Sequence, residues 1–237
     1  MTIFLKAPNT DLANLRIELV QDSAKFIDHL TLRYRAYLSD NAIEPSKPEI
    51  FVDRYDFQKT SVLFGVVDQI GRTVGSVRFS MQPPRSVCPA DFSSSSEFIV
   101  YGDVFQDLPD AERIIVTGAR FSIEPDHKQR RQIALILMQA LARASRAVRA
   151  RWAVLAARGN HIRFYQRMMM MTTRTEPRPM PGLSYSYALM MTDVDEVVDQ
   201  VIASHPASYR QFFQDHAPDW EDRVRRAAEP MLGLEAA

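Results

Sequence analysis

RIIVTGARFSIEPDHKQRRQIALILMQALARASRAVRARWAVLAA, residues 113–157, is the stretch on which the fold turns. Its opening, RIIVTGARFSIEP, is rich in β-branched and aromatic residues. It stops at Pro125, which has no amide proton to give a sheet ladder, so a strand with an abrupt exit is expected. In the segment that follows, Ile133, Leu137, Ala140, Leu141, Ala144 and Val148 recur at the helical period of about 3.6 residues. Arg131, Arg146 and Arg149 fall on roughly the opposite side. This pattern predicts a long helix with one packing face and one cationic face. Trp152–Ala157 is a short apolar run of the length of a fully buried strand. Strand, crossover helix and strand form the unit that joins parallel strands, which sets the class as α/β.

A helix opening directly after a strand aims its unpaired amides and the positive end of its dipole at whatever lies there. Lys128, Arg130 and Arg131 add charge, and an anion is expected at this mouth. Ile123-x-Pro125, followed by Lys128, Gln129 and Ile133, resembles the strand-to-helix turn of the GNAT acyltransferase superfamily. The resemblance implies a GNAT-like mixed sheet with helices on both faces. It also implies a turn that holds the pyrophosphate of coenzyme A or the phosphopantetheine of a carrier protein. The family's usual glycines are missing, and Gln129, Arg130, Arg131 and Gln132 stand in their place. Without glycine the backbone cannot come as close to a diphosphate, which favours the single phosphate of a carrier arm.

Composition narrows the rest. Of 237 residues 46% are apolar and 24% charged, and 29 basic side chains balance 29 acidic ones. No overall field draws nucleic acid, so none is expected as a partner and any basic surface must be local. The length suits one large domain or a domain with an appendage. A lone cysteine, Cys88, excludes an internal disulfide and fits a reducing compartment. The opening MTIFLKAPNTDLANL lacks the charged-then-apolar plan of a signal peptide, and no apolar run reaches membrane-spanning length. A cytoplasmic protein is expected.

Toward the N-terminus, residues 15–20 read as a first strand and 24–39 as a helix with Phe26, Leu30, Tyr34 and Tyr37 near one face and Arg33 beside them. Arg33-Tyr34, Tyr37, Asp53-Arg54-Tyr55-Asp56, a strand over 62–67 and Gly75-Ser76-Val77-Arg78-Phe79 follow in order. This passage resembles the N-terminal part of acyl-homoserine-lactone synthases and of their relatives, the N-acyl amino acid synthases. An amino acid carries a cation and a carboxylate, so its pocket needs a carboxylate and a guanidinium fork. Asp53 and Asp56 are expected to hold the ammonium. Arg33, Arg78 or Arg120 would pair with the carboxylate or steady the acidic turn, and Tyr34, Tyr37 and Phe121 would complete the pocket. An Asp-x-x-Asp turn beside arginines is equally what a satisfied surface network looks like.

Residues 61–68 and 73–81 read as strands joined by Gln69-Ile70-Gly71-Arg72. Residues 82–96 hold three prolines and four consecutive serines, and a mobile insertion on one rim is expected there. Gly102-Asp103-Val104-Phe105 resembles the segment leading into the fourth strand of the same synthases. In the homoserine-lactone branch a glutamate lies three residues before the arginine of that strand, and here Thr117 precedes Arg120-Phe121. Threonine is no carboxylate base, which turns the reading from a homoserine-lactone product toward amino-acid acylation. Glu97, Glu124, His127 or an ordered water remain as candidates for the base.

Asn160-His161-Ile162-Arg163-Phe164-Tyr165 resembles the Asn-x-x-x-Phe-Tyr start of the last GNAT helix, whose tyrosine often lies near the thioester sulfur. Tyr165 is therefore a candidate general acid, against the alternative of a packing aromatic. No second His or Cys lies near His161 at metal-site spacing, so no metal is expected. The four methionines at 168–171 suit either an acyl tunnel or ordinary core filling. Residues 172–182 read as a loop and 183–191 as an alternating final strand. Beyond Thr192, three short helices over 193–204, 207–216 and 219–228 are separated by Pro206 and Pro218. The chain is thus expected to divide into a domain over 1–191 and a helical appendage over 192–237.

The resemblance implies an acyltransferase that moves a long-chain fatty acyl group from an acyl carrier protein thioester to the amine of an amino acid. A neutral amine attacks the thioester carbonyl, backbone amides near the bulged end of the 113–123 strand stabilise the oxyanion, and the departing thiolate is protonated. Thr117, Arg120, Glu124 and Tyr165 are the residues this reading places at the chemistry. The acyl-phosphopantetheine of the carrier, or acyl-CoA, enters as a co-substrate and not as a resident cofactor. The carrier's acidic helices would dock on Lys128, Arg130, Arg131, Arg146 and Arg149, although arginines at helical spacing are also what a solvated face looks like. The product would partition to membranes. Cys88, with no adjacent base, is not a nucleophile. Two other readings stay open: an acetyl-CoA-dependent small-molecule N-acetyltransferase, and a catalytically inactive adaptor for an acylated carrier or lipid.

Overall fold

The computed structural model of the chain describes residues 12, 14–20, 23–84, 92–106, 108 and 113–229. Strand β1 (Leu15–Leu19) precedes helix α1 (Ser23–Ser39), a 3-10 turn (Arg54–Phe57) and the hairpin of β2 (Ser61–Asp68) and β3 (Thr73–Gln82). Two short helices, α2 (Ser96–Val100) and α3 (Gly102–Gln106), lead to β4 (Ile115–Ile123), α4 (Arg130–Ala147) and β5 (Trp152–Ala157). Then come α5 (Ile162–Met169), the two-residue strands β6 (Thr172–Thr173) and β7 (Arg178–Pro179), and β8 (Ser186–Asp193). Helices α6 (Val194–Ser204), α7 (Ala207–His216) and α8 (Trp220–Ala228) follow.

The sheet runs β1-β2-β3-β4-β5-β8-β6, with β7 also on β8. Only β4 and β5 are parallel, joined through α4 as the 113–157 pattern predicts. This is the expected mixed sheet with helices on both faces. Val62, Phe64, Val66, Val77, Phe79 and Val116 point to one side and share a core with α4, because side chains alternate along each strand. Helix α4 is seated so close that a Cβ on Gly75 would lie 2.4 Å from Ile133 Cγ2, and one on Gly118 2.9 Å from Leu141 Cδ1. Helix α1 lies across β3 and β4 on the opposite face.

Three expectations are revised. First, α4 is not half solvated: Leu135, Met138, Gln139 and Ala142 are buried as well as the predicted face, because α6, α7 and α8 cover its outer side. Gln139 Nε2 donates to Ile202 O at 3.2 Å and meets His205 Nδ1 at 2.5 Å. Trp220 is buried edge-on against Phe64, 4.8 Å between centroids. Second, the serine run is not a mobile rim. Ser94, Ser95, Ser96 and Glu97 are buried, the Ser94 amide donates to Gln82 Oε1 at 2.9 Å, and Gln58 Nε2 donates to Ser93 O at 3.0 Å. The remainder of that predicted insertion, residues 85–91 with Cys88, lies outside the described residues. Third, the final strand starts at Ser186 and not at 183, since the Leu183 amide closes a turn onto Met180 O at 3.1 Å. Among the described residues no helix is long and apolar enough to cross a membrane.

Candidate active site

Strand β4 pairs with β3 along most of its length but with β5 only at Ile115–Trp152, Val116–Ala153 and Thr117–Val154. Beyond Thr117 the two parallel strands part. On its other edge the register with β3 slips between Ser76 and Arg78, and Arg120 takes a left-handed φ of 57°. A non-glycine residue in that region costs roughly 1–3 kcal/mol and persists only where its surroundings hold it. They do so here: Arg120 Nε and Nη2 lie 2.9 and 2.7 Å from Asp53 Oδ2, and the guanidinium stands 5.0 Å from the centroid of Phe51.

Asp53 belongs to a buried acid–arginine cluster built on the 3-10 turn. The Tyr55 amide donates to Asp53 Oδ1 and the Asp53 amide to Asp56 Oδ2, both at 2.9 Å, which caps the turn reciprocally. Arg33 of α1 reaches Asp56 at 2.7 Å, and Arg78 of β3 reaches Asp53 at 2.6 Å and Asp56 at 2.9 Å. The side chains of Arg33, Arg78 and Asp56 are at most 1% exposed. Burial alone would raise the Asp53 carboxyl, but Arg78 and Arg120 outweigh it and hold it at about 2. Burial, opposed by Asp56, lowers Arg33. A substrate ammonium would have to break an ion pair to reach either aspartate. That surrounding does not match the expected role of Asp53 and Asp56 as its receptors, and what the cluster does visibly is fix the Arg120 bulge.

The gap between β4 and β5 opens into a cleft walled by residues 118–121 of β4, Ala156 and Ala157 of β5, Tyr37 and Tyr165, with Glu97 and Tyr187 also in the wall. A second cavity shares Tyr37, Phe121 and Tyr165 with it and extends to Pro125 and Arg130 at the start of α4. The α4 mouth and the Arg120 bulge thus border two adjoining cavities with Tyr37, Phe121 and Tyr165 in common. Burial pushes the Tyr165 phenol well above its ordinary value, so it stays protonated and able to donate. Glu97 is 4% exposed and forms no ion pair with any described residue, while Ser96 Oγ lies 3.3 Å from its Oε2. Burial works against the charge on Arg120, but Tyr37, Asp53 and Glu97 more than offset it and raise its pKa.

The other predicted residues are distributed unevenly. Thr117 is buried where the strands part, and its hydroxyl has no hydrogen-bond partner among the described residues. The Tyr34 hydroxyl accepts from the Ser46 amide at 3.1 Å and so holds a loop. Glu124 pairs with Arg35 at 2.6 Å and walls neither cavity; nor does His127. Lys128, Arg130 and Arg131 are exposed at the start of α4, where Arg130 also bonds Pro125 O. Arg146 and Arg149 stand at the other end, about 25 Å away at about 1.5 Å rise per residue. Arg146 is paired with Asp199 at 2.9 Å and Glu221 at 2.5 Å, which ties α4 to α6 and α8. Helix period alone placed Arg131 and Arg146 on one face, and length separates them. Of the side chains that the sequence left open as the base, Glu97 is the one in the cleft wall, and Tyr187, also in the wall, is the residue that sequence reasoning did not single out.

A family model described as N-acyl amino acid synthase FeeM matches residues 28–193. Among solved structures, FeeM, an N-acyl amino acid synthase from uncultured soil microbes, is similar with a TM-score of 0.62 at 8% identity, over 80% of this chain and 96% of that one. The acyl-homoserine-lactone synthase LasI gives 0.55 at 16% identity over 76% and 90%. BjaI, a CoA-dependent acyl-homoserine-lactone synthase, gives 0.59 at 13% identity over 90% and 99%. Identities this low speak to the fold alone. A search of curated proteins finds no match. The stretch covered by the family model runs from within α1 to the last residue of β8 and takes in the acid–arginine cluster, the split of β4 from β5 and both cavities. The chain belongs to the FeeM family of N-acyl amino acid synthases and is an acyltransferase.

Proposed function

We propose that the protein moves a long-chain fatty acyl group from the thioester of an acyl carrier protein onto the amine of an amino acid. The observation that carries this reading is the pair of adjoining cavities beside β4, one reaching the cationic helix mouth at Arg130 and the other, in the gap between β4 and β5, holding Arg120 and Glu97. The thioester arm enters past Pro125 and Arg130 and lies along Tyr165, and the amine arrives from the Arg120 side. Thr117, a threonine where the homoserine-lactone relatives place a glutamate, supports an amino-acid acceptor, as does membership of a family named for N-acyl amino acid synthesis.

For the donor, the supporting feature is the turn itself. Gln129, Arg130, Arg131 and Gln132 keep the backbone from the close approach a diphosphate wants, while Lys128, Arg130 and Arg131 turn charge outward toward an acidic partner. Acyl-CoA is the alternative co-substrate, the donor type of BjaI. Arg33, Arg78, Asp53 and Asp56 position Arg120; Tyr37 and Phe121 line the path; amides at the opened edge of β4 receive the oxyanion; and Tyr165 protonates the leaving thiolate. Residues 1–191 form the catalytic domain, and the helices from 192 onward are an appendage that seats α4. A lone cysteine suits the reducing cytoplasm, and the amphiphilic product would partition to membranes.

Purified protein incubated with palmitoyl-loaded acyl carrier protein and a mixture of amino acids is expected to yield an N-acyl amino acid by mass spectrometry. Product formed only with acetyl-CoA would identify an ordinary small-molecule acetyltransferase instead.

A further inference from the structure

We infer that Glu97 holds the substrate ammonium and takes its proton, an assignment that rests on the acyl-transfer reading above. An amino acid amine is an ammonium at neutral pH and must lose a proton before it can attack, so a proton acceptor is needed in the cleft. The carboxylates near it can be taken in turn. Asp53 and Asp56 are bound up with Arg33, Arg78 and Arg120. Asp40 is 57% exposed and faces Arg158 at 4.0 Å. Glu124 is paired with Arg35 and lies outside the wall. Glu97 remains: it is buried, it is in the wall, and among the described residues it forms no ion pair, with Arg120, already bonded to Asp53, as a cation in its field.

A buried carboxylate without a counter-cation is unfavourable unless something pairs with it. The neighbouring Ser96 hydroxyl at 3.3 Å is too distant to serve as a strong partner. Arg120 acts on Glu97 only from beyond ion-pair distance, its own contacts being with Asp53, so an incoming ammonium can supply the direct partner that the carboxylate lacks. Arg120 from β4, Tyr37 from α1, Tyr187 from β8, and Tyr165 with His161 from α5 share this wall. Of these, Arg120 is bonded to Asp53, and burial together with Arg158 lowers the His161 imidazole and makes it a weaker acceptor, so Glu97 is the carboxylate placed to pair with a cation and take its proton. Its position is held by the buried serines before it and their bonds to Gln82 and Gln58.

The step balances. One ammonium proton passes to the Glu97 carboxylate, and the neutral nitrogen attacks the thioester carbon, forming the C–N bond and an oxyanion. Collapse breaks the C–S bond, and the thiolate takes a proton from the Tyr165 hydroxyl. A second proton lost from the nitrogen restores that hydroxyl, and Glu97 releases the first to solvent. The products are an amide, a thiol and one proton.

The test uses the full chain with palmitoyl-loaded acyl carrier protein and an equimolar mixture of amino acids, then the amine that is acylated. Glu97→Gln is expected to lower kcat/KM for the amine by about 10²–10⁴-fold. The KM for the donor should stay unchanged, and the acid limb of the pH profile of kcat/KM should vanish. Glu97→Asp should retain an intermediate rate and keep the limb. If E97Q does not fold, E97D decides, a reduced rate with raised amine KM supporting the assignment and wild-type kinetics overturning it. A folded E97Q within threefold of wild type, or with its acid limb intact, also overturns it. If wild type acylates only from acetyl-CoA, the donor reading fails, and the same loss of the limb in E97Q with that donor still decides the role of Glu97.

Discussion

Arg33, Arg78 and Arg120 sit inside the protein against two aspartates, whereas Lys128, Arg130 and Arg131 stand at the surface where α4 begins. Both groups border the same split in the sheet. The buried guanidiniums have their counterions within the chain, so their work is to hold β4 in its bulged shape. The surface cations at the α4 mouth face outward, and among the described residues no ion pair occupies them. Charge by itself therefore does not mark a substrate site, and what separates the two regions is whether the opposite charge already belongs to the protein.

The strongest way to break that contrast is to remove one buried member. Arg78→Met leaves two buried carboxylates short of a partner and is expected to cost about 3–5 kcal/mol, with loss of activity as the Arg120 bulge loosens. Arg131→Ala should shift stability by less than about 0.5 kcal/mol. Urea unfolding measures both, and equal losses would erase the distinction.

Acid separates the regions next. Burial holds His205 at about 4, so the unfolded chain, with a histidine near 6.5, takes up the proton first as pH falls. About 3 kcal/mol of stability is therefore lost between pH 6.5 and 4. Asp53, held at about 2, keeps its contribution down to pH 3.8 and loses about 2 kcal/mol between there and pH 2. Unfolding free energy against pH should fall in two stages, and His205→Gln should abolish the first alone. A single stage centred near pH 4.5 would show that the cluster is not closed.

At the α4 mouth the readout is kinetic. Charge reversal at Lys128 and Arg131 together should raise the KM for acylated carrier about tenfold, or 1.4 kcal/mol, leaving the amine KM nearly unchanged, and added salt should shrink the difference. An unchanged carrier KM would remove the docking proposal. Smallest of all, Arg146→Ala should cost at most about 1 kcal/mol of stability and leave the carrier KM alone. A shifted carrier KM would return the far end of α4 to the docking face.

The strand–helix–strand core was legible because Ile133, Leu137, Leu141 and Val148 keep a helical period and Trp152–Ala157 is unbroken by polar residues. The C-terminal helices were legible from Pro206 and Pro218. What covers α4 was not, since Glu221 and His205 reach it from 75 and 66 positions away, and local periodicity carries no record of a distant partner. Serines 94–96 misled for a related reason: small hydroxyls suit a loop, yet they are equally able to pack when neighbouring amides and side chains satisfy the backbone. The acid–arginine cluster was visible as residue types, but only coordinates show Asp56 enclosed and separate Glu97, in the cleft wall, from Glu124 and His127 outside it.

Gly75 and Gly118 carry a last consequence. Helix α4 descends into two notches where the sheet has no side chain, so the height of the whole rod above the strands is set by absent methyl groups. A methyl in either notch would overpack the contact, typically by about 1–3 kcal/mol, and lift the rod together with the cations at its leading end. Under the proposed entry of the donor arm at this mouth, its reach and the depth of the helix are one mechanical variable. On that proposal, redesign of donor choice has a lever beneath the helix as well as at its rim.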